Sequence, residues 1–259
     1  MKKPPPILFV LPNIFTVSSI FCGFYAITIA INGNAADRFY GAAVAILFGV
    51  LFDAADGRVA RMTKTQSDFG VQLDSLADVV TFGLAPAVVA YQWSLAQYGI
   101  IGLVAAFLYV ACGAIRLARF NIMAVDPSKS SRFFLGLPIP LAASTLMSLV
   151  MVHHRNIVGG ELVSPPLILA VVLILAALMV SRVHYRTFKR VKNPRLILPL
   201  VIIMASLLVV AAIKTSFSLI FALASAAFLL YGLIEEVVRL IRKRVLLARK
   251  HDEEEDEVY

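Results

Sequence analysis

The chain has 259 residues, 60% of them apolar and 15% charged, with a formal net charge of +8. Soluble domains run nearer half apolar and a quarter charged. These proportions, with a mean hydropathy of +0.85, therefore exclude a disordered chain and an ordinary cytosolic enzyme. Cys22 and Cys112 lie in separate apolar stretches and form neither a disulfide framework nor a thiolate metal cluster. The expected fold class is an all-α polytopic membrane bundle. Its positive charge reads as basic loops, since no basic stripe with interleaved aromatics points to nucleic acid.

A bilayer-crossing helix needs ~20 mostly apolar residues. Eight segments are predicted: 10–31, 39–61, 71–92, 97–118, 137–153, 164–182, 196–213 and 216–238. The first follows Lys2, Lys3 and three prolines. It is read as a retained span, because it is long and lacks a small-residue cleavage site leading into a polar domain. The second and third contain several aspartates, which weakens their hydropathy. His153-His154-Arg155 through Ser164 separates the fifth from the sixth, and a tight Lys214–Ser216 turn joins the last two. With no internal repeat, residues 1–238 read as one membrane-embedded domain and 239–259 as a tail. That tail is basic over Arg239–Lys250, as suits an anionic leaflet, and acidic over His251–Tyr259.

Placing the N-terminus inside puts 21 of the 24 Lys and Arg residues on the inner side and leaves Arg38, Arg155 and Lys214 outside. This asymmetry predicts both termini in the cytoplasm. Tyr91, Trp93 and Tyr98 then bracket an outer loop as an aromatic belt, and His153-His154 fall on the outer side.

The acidic residues are the anomaly. Asp53 and Asp56 are three apart, and Asp74 and Asp78 four apart, so each pair occupies one helix face. Insertion scales put one mid-membrane carboxylate at roughly 2.5–3.5 kcal/mol, hence on the order of 10–14 kcal/mol for four left unpaired. Arg58 and Arg61 offset part of this in a purely structural ion-pair network. Two acidic ladders are more than such a network requires. Carboxylates presented inward by facing helices are a standard way to hold two divalent ions, and an all-oxygen donor set favours Mg²⁺ or Mn²⁺ over Zn²⁺. Ala54, Ala55, Gly57, Ala60, Gly70 and Ala77 accompany the acids and allow close approach of a helix or ligand.

Written out, the stretch is Asp53-x2-Asp56-Gly57-x2-Ala60-Arg61-x8-Gly70-x3-Asp74-x3-Asp78. It resembles the signature of the CDP-alcohol phosphatidyltransferase family, with every fixed position filled. The resemblance implies transfer of a phosphatidyl group from a CDP-linked lipid to an alcohol, with CMP leaving. It implies Asp53, Asp56 and Asp74 as metal ligands, with Asp78 shared between metal binding and removal of the acceptor's proton. It also implies that Gly57, Ala60 and Gly70 line the cytidine and diphosphate, that Arg61 meets a phosphate oxygen, and that the enzyme is a homodimer. For Arg61, charge balance within the acidic cluster is the competing role.

Three further stretches are similar to the phosphatidylserine synthase branch of that family: Leu11-Pro12-Asn13-Ile14-Phe15-Thr16, Ala111 through Arg116-Leu117-Ala118-Arg119-Phe120-Asn121, and Phe134 through Pro140. Ser18-Ser19 departs from the Gly-Asn expected there. The branch resemblance implies CDP-diacylglycerol and L-serine as substrates, with Arg116, Arg119 and Asn121 on serine, since a guanidinium holds a carboxylate bidentately. Asn13, Lys129 and Arg132 are assigned to the CDP-lipid. An N-capping role competes for Asn13, positive-inside anchoring for the two arginines, and a plain solvated loop for Lys129 and Arg132. Glycerol 3-phosphate or inositol is the rival acceptor, an archaeal ether lipid the rival donor, and divalent cation transport the rival outside enzymology. The acids cluster at one end of two spans rather than lining a path across, which argues against transport.

Overall fold

A computed structural model of the chain describes residues 7–33, 37–125, 133–154, 163–181 and 183–186. Six helices follow one another: α1 (Ile7–Asn32), α2 (Arg38–Thr63), α3 (Asp68–Tyr98), α4 (Ile100–Val125), α5 (Ile139–His154) and α6 (Pro165–Val180). Between α4 and α5 lies a strand β1 (Phe133–Leu135), which pairs antiparallel with β2 (His184–Arg186) after α6. This pair is the only β-structure among the described residues.

Helices α1 to α4 are long and apolar enough to cross a membrane, whereas α5 and α6 are shorter apolar helices of 16 residues each. Both short helices start beside prolines, Pro138 and Pro140 for α5 and Pro165 and Pro166 for α6. Proline is tolerated in a first helical turn, where its missing N–H would have no partner. The expected spans 196–213 and 216–238 lie outside the described residues, so the predicted total of eight has a counterpart in four long helices and two short ones.

Local chemistry fixes the ends that matter. Lys64 closes α2 in a left-handed conformation (φ 56°, ψ 36°), its N–H bonded to Ala60 O. Ser67 then caps α3, its Oγ accepting from Gly70 N at 3.1 Å. The two acidic ladders are thus joined by a turn of a few residues, and α2 and α3 are forced side by side. At the other end, Gly99 (φ 54°, ψ −125°) makes the turn into α4 in a conformation that only glycine adopts readily. The outer loop expected around Trp93 is helical instead, because α3 runs on to Tyr98.

That helix is not uniform. Directly after Asp78 it widens into a π-helical turn, Val79–Leu84, and again at Tyr91–Leu95. Pro86 has no N–H to give to Phe82 O four residues back. The Tyr109 hydroxyl of α4, fully buried, donates to that carbonyl at 3.2 Å. A deleted backbone bond is replaced by an interhelical one, which anchors α4 on α3 near the centre of the core.

Helices α1, α2 and α3 meet at Thr81. A Cβ on Gly23 would lie 2.8 Å from Thr81 Cα, and one on Gly49 2.6 Å from Thr81 Cγ2. Small residues at such crossings let backbones approach closely, the usual device for packing helices without a hydrophobic driving force. Ser19, 1% exposed, completes the knot: its Oγ donates to Gly49 O at 3.2 Å, while Thr81 Oγ1 donates to Ser19 O at 2.9 Å. The serine that departs from the branch pattern therefore ties three helices together.

Candidate active site

One end of the bundle opens into a cleft of about 750 Å³ between α1, α2, α3 and α4. Its floor is acidic. One carboxylate oxygen each from Asp53, Asp56 and Asp74 lie within 4.8 Å of one another. Asp78, one turn further along α3, approaches Asp53 from the same side. The helical spacings put each pair on one face, and the short turn at Thr65–Ser67 brings the two faces together.

Burial makes this arrangement expensive. Asp56 is 5% and Asp78 9% exposed, and carboxylates so close repel one another strongly away from bulk water. Asp78 Oδ1 is buried and has no hydrogen-bond partner among the described residues. Buried polar atoms are seldom left so. An all-oxygen donor set gathered from two helices, with an orphaned carboxylate oxygen beside it, fits hard divalent cations such as Mg²⁺ or Mn²⁺.

Cations approach from two sides. Arg116 on α4, 6% exposed, is close enough to Asp78 to attract it electrostatically, and its guanidinium lies 5.5 Å from the Phe120 ring centre. Arg61, one turn after Gly57, is exposed at the mouth and attracts Asp56. Asn13 of α1, Gly57 and Ala60 of α2 and Gly70 of α3 also line the cleft.

The residues expected to bind serine separate. Arg116 and Asn121 line the cleft, and Asn121 Nδ2 donates to Ser75 Oγ at 2.8 Å, tying α4 to α3 beside the acids. Arg119 does not line it; its Nη1 donates to Val180 O at 3.0 Å and caps the last turn of α6. Lys129 and Arg132 lie outside the described residues. Sequence reasoning gave no role to Thr16, whose hydroxyl donates to Asp56 Oδ2 at 2.7 Å, nor to Ser67. A signal for Thr16 was present: it stands three residues after Asn13, on the same helical face. His153 and His154 are remote from the cleft. His154 Nε2 pairs with Asp37 Oδ1 at 2.7 Å, about five helical turns along α2 from Asp56.

The family model described as CDP-alcohol phosphatidyltransferase matches residues 9–183. The chain is 40% identical over 186 residues to the CDP-diacylglycerol–serine O-phosphatidyltransferase of Helicobacter pylori (strain ATCC 700392 / 26695), a match that covers 71% of this chain and 75% of that protein. It is 35% identical over 181 residues to the Bacillus subtilis (strain 168) protein of the same name, covering 70% of this chain and 92% of that one. It is 39% identical over 140 residues to the Methanocaldococcus jannaschii protein so named, covering 54% and 61%. The match runs through α1 to α6 and includes all four aspartates of the cleft, and by that extent this chain belongs to the CDP-alcohol phosphatidyltransferase family.

Proposed function

We propose that this membrane protein transfers the phosphatidyl group of CDP-diacylglycerol to L-serine, forming phosphatidylserine and CMP. The observation that carries the reading is the meeting of Asp53, Asp56 and Asp74 from two helices, with Asp78 and the buried cation Arg116 beside them. The names of the relatives support serine as the acceptor.

Asp53, Asp56, Asp74 and Asp78 would hold two Mg²⁺ or Mn²⁺ ions. Bound there, such ions neutralise the diphosphate and stabilise the CMP that leaves. The chain's own residues do the rest. Gly57, Ala60 and Gly70 leave room for the nucleotide against the helix backbones, Asn13 closes the cleft on the α1 side, and Arg61 meets a phosphate oxygen at the mouth. Arg116 grips the serine carboxylate, a geometry that suits a guanidinium, and Asn121 holds Ser75 and the α3–α4 spacing. Lys129 and Arg132 belong to the CDP-lipid side of the site.

The serine hydroxyl attacks the phosphorus that carries the lipid. As the new O–P bond forms, the bond to the CMP oxygen breaks and the hydroxyl proton passes to Asp78. A carboxylate is a far weaker base than an alkoxide, so the proton moves during bond formation rather than before it. Among the described residues that line the cleft, no histidine accompanies Ser67 or Ser75, consistent with direct attack rather than a covalent phosphatidyl-enzyme. The distribution of Lys and Arg supports a site at the cytoplasmic interface with both termini inside and residues 239–259 as a tail. Family membership supports a homodimer.

The test is an acceptor assay. Purified protein with CDP-diacylglycerol and Mn²⁺ should release CMP and give labelled lipid with L-serine. A lipid product with glycerol 3-phosphate or inositol but none with serine would overturn the acceptor, and Mn²⁺ flux without CMP release would overturn the reaction.

A further inference from the structure

A contact outside the acidic motif reaches this cleft from α1, a helix that carries no acidic residue. Thr16 is 4% exposed. Its Oγ1 lies 2.7 Å from Asp56 Oδ2 and 3.2 Å from the Pro12 carbonyl oxygen. A hydroxyl has one proton to donate, and both neighbours are acceptors. The bond to the carboxylate is the shorter one, and hydrogen bonds to ionised groups are about twice as strong as neutral ones. Turning the proton toward Pro12 would also leave the Thr16 lone pairs facing Asp56 Oδ2 at 2.7 Å. Back-bonding to the carbonyl four residues earlier is ordinary for a helical threonine, and it accounts for the Pro12 contact alone.

We infer that Thr16 is a positioning residue: its buried hydroxyl, donated to Asp56 Oδ2, fixes the Asp56 side chain while that carboxylate still offers an oxygen to the group formed with Asp53 and Asp74. The inference rests on the proposed metal role of those acids. It makes α1 part of the metal-holding assembly through a side chain that never touches the ion. Outer-shell bonds of this kind typically carry 10–100-fold in metal affinity.

The test measures Mn²⁺ binding to the full chain in detergent, without substrate, by the electron paramagnetic resonance signal of free Mn²⁺. Thr16→Val keeps the shape and removes the hydroxyl, Thr16→Ala removes both, and Thr16→Ser keeps the hydroxyl. The Val and Ala variants should bind Mn²⁺ about 10- to 100-fold more weakly, with Ser close to the unmodified chain. In turnover, the Val and Ala variants should need more Mn²⁺ while kcat largely recovers at saturating metal. If Thr16→Val does not fold, Thr16→Ala carries the comparison. Unchanged affinity in a folded Val or Ala variant overturns the inference. Equal weakening by Ser also overturns it, because the methyl packing rather than the proton would then be at work. An unmodified chain that retains no Mn²⁺ removes the metal reading of the cleft, and this inference with it; normal binding with unaffected variants removes the role of Thr16 alone.

Discussion

Helices α1 and α2 border two hollows of similar size. One is the acidic cleft of about 750 Å³; the other is an apolar groove of about 920 Å³, lined by residues such as Ile14, Val17, Phe21, Val44 and Phe48. Asn13 lines both. The groove is larger, and in a soluble protein an apolar concavity of that volume would be the default ligand site. In a bilayer it is an ordinary surface, because lipid tails are as apolar as the side chains that line it. The cleft is the costly hollow, since acids gathered in a span must be compensated. In a membrane protein, the polar concavity marks the chemistry.

Substitutions at the two hollows sharpen that contrast. The largest effect is expected from Asp78→Asn, which removes the proposed proton acceptor. CMP release should fall by about 10²–10⁴-fold, while CDP-lipid binding is partly retained. Near-normal turnover would defeat the assignment of the base.

Next come the two arginines of α4, which the structure sends to different places. Arg116→Ala should raise the KM for serine by about 10- to 100-fold, the worth of a hydrogen-bonded charged pair, and leave that for CDP-lipid little changed. Arg119→Ala should leave the serine KM alone and lower thermal stability by about 1–2 kcal/mol, through loss of its bond to Val180 O. The reverse pattern would restore Arg119 as the serine ligand.

The smallest effect belongs to the groove. Ile14 lines the groove and is 54% exposed, and Ile14→Ala should change neither Mn²⁺ affinity nor turnover. An effect as large as those in the cleft would mean that the two hollows act as one.

The helical class and the acidic pairs were legible in the sequence because neither depends on a partner helix. Sixty per cent apolar composition leaves few alternatives to a helical bundle, and offsets of three and four residues put Asp53 with Asp56 and Asp74 with Asp78. What spacing could not reveal was anything set by a partner helix. Arg116 and Arg119 are also three apart on α4, yet the end of α6 lies where Arg119 can cap it, and only Arg116 is left to the cleft. The bond between Tyr109 and Phe82 O follows from Pro86, but it needs α4 packed on α3 to be seen. Ser19 departed from the branch pattern and gave no hint of the knot at Gly23, Gly49 and Thr81. The start of α5 moved from the expected residue 137 to Ile139, where Pro138 and Pro140 flank the first helical residue.

Acids from α2 and α3 sharing ions are central to the proposed chemistry. Mn²⁺ titrated into the purified chain and followed by electron paramagnetic resonance tests this directly, since two ions about 3.5–4 Å apart are magnetically coupled. Two coupled ions per chain are expected, with loss of the coupled signal in Asp74→Asn. Isolated ions, or a coupled pair that survives that substitution, would contradict it.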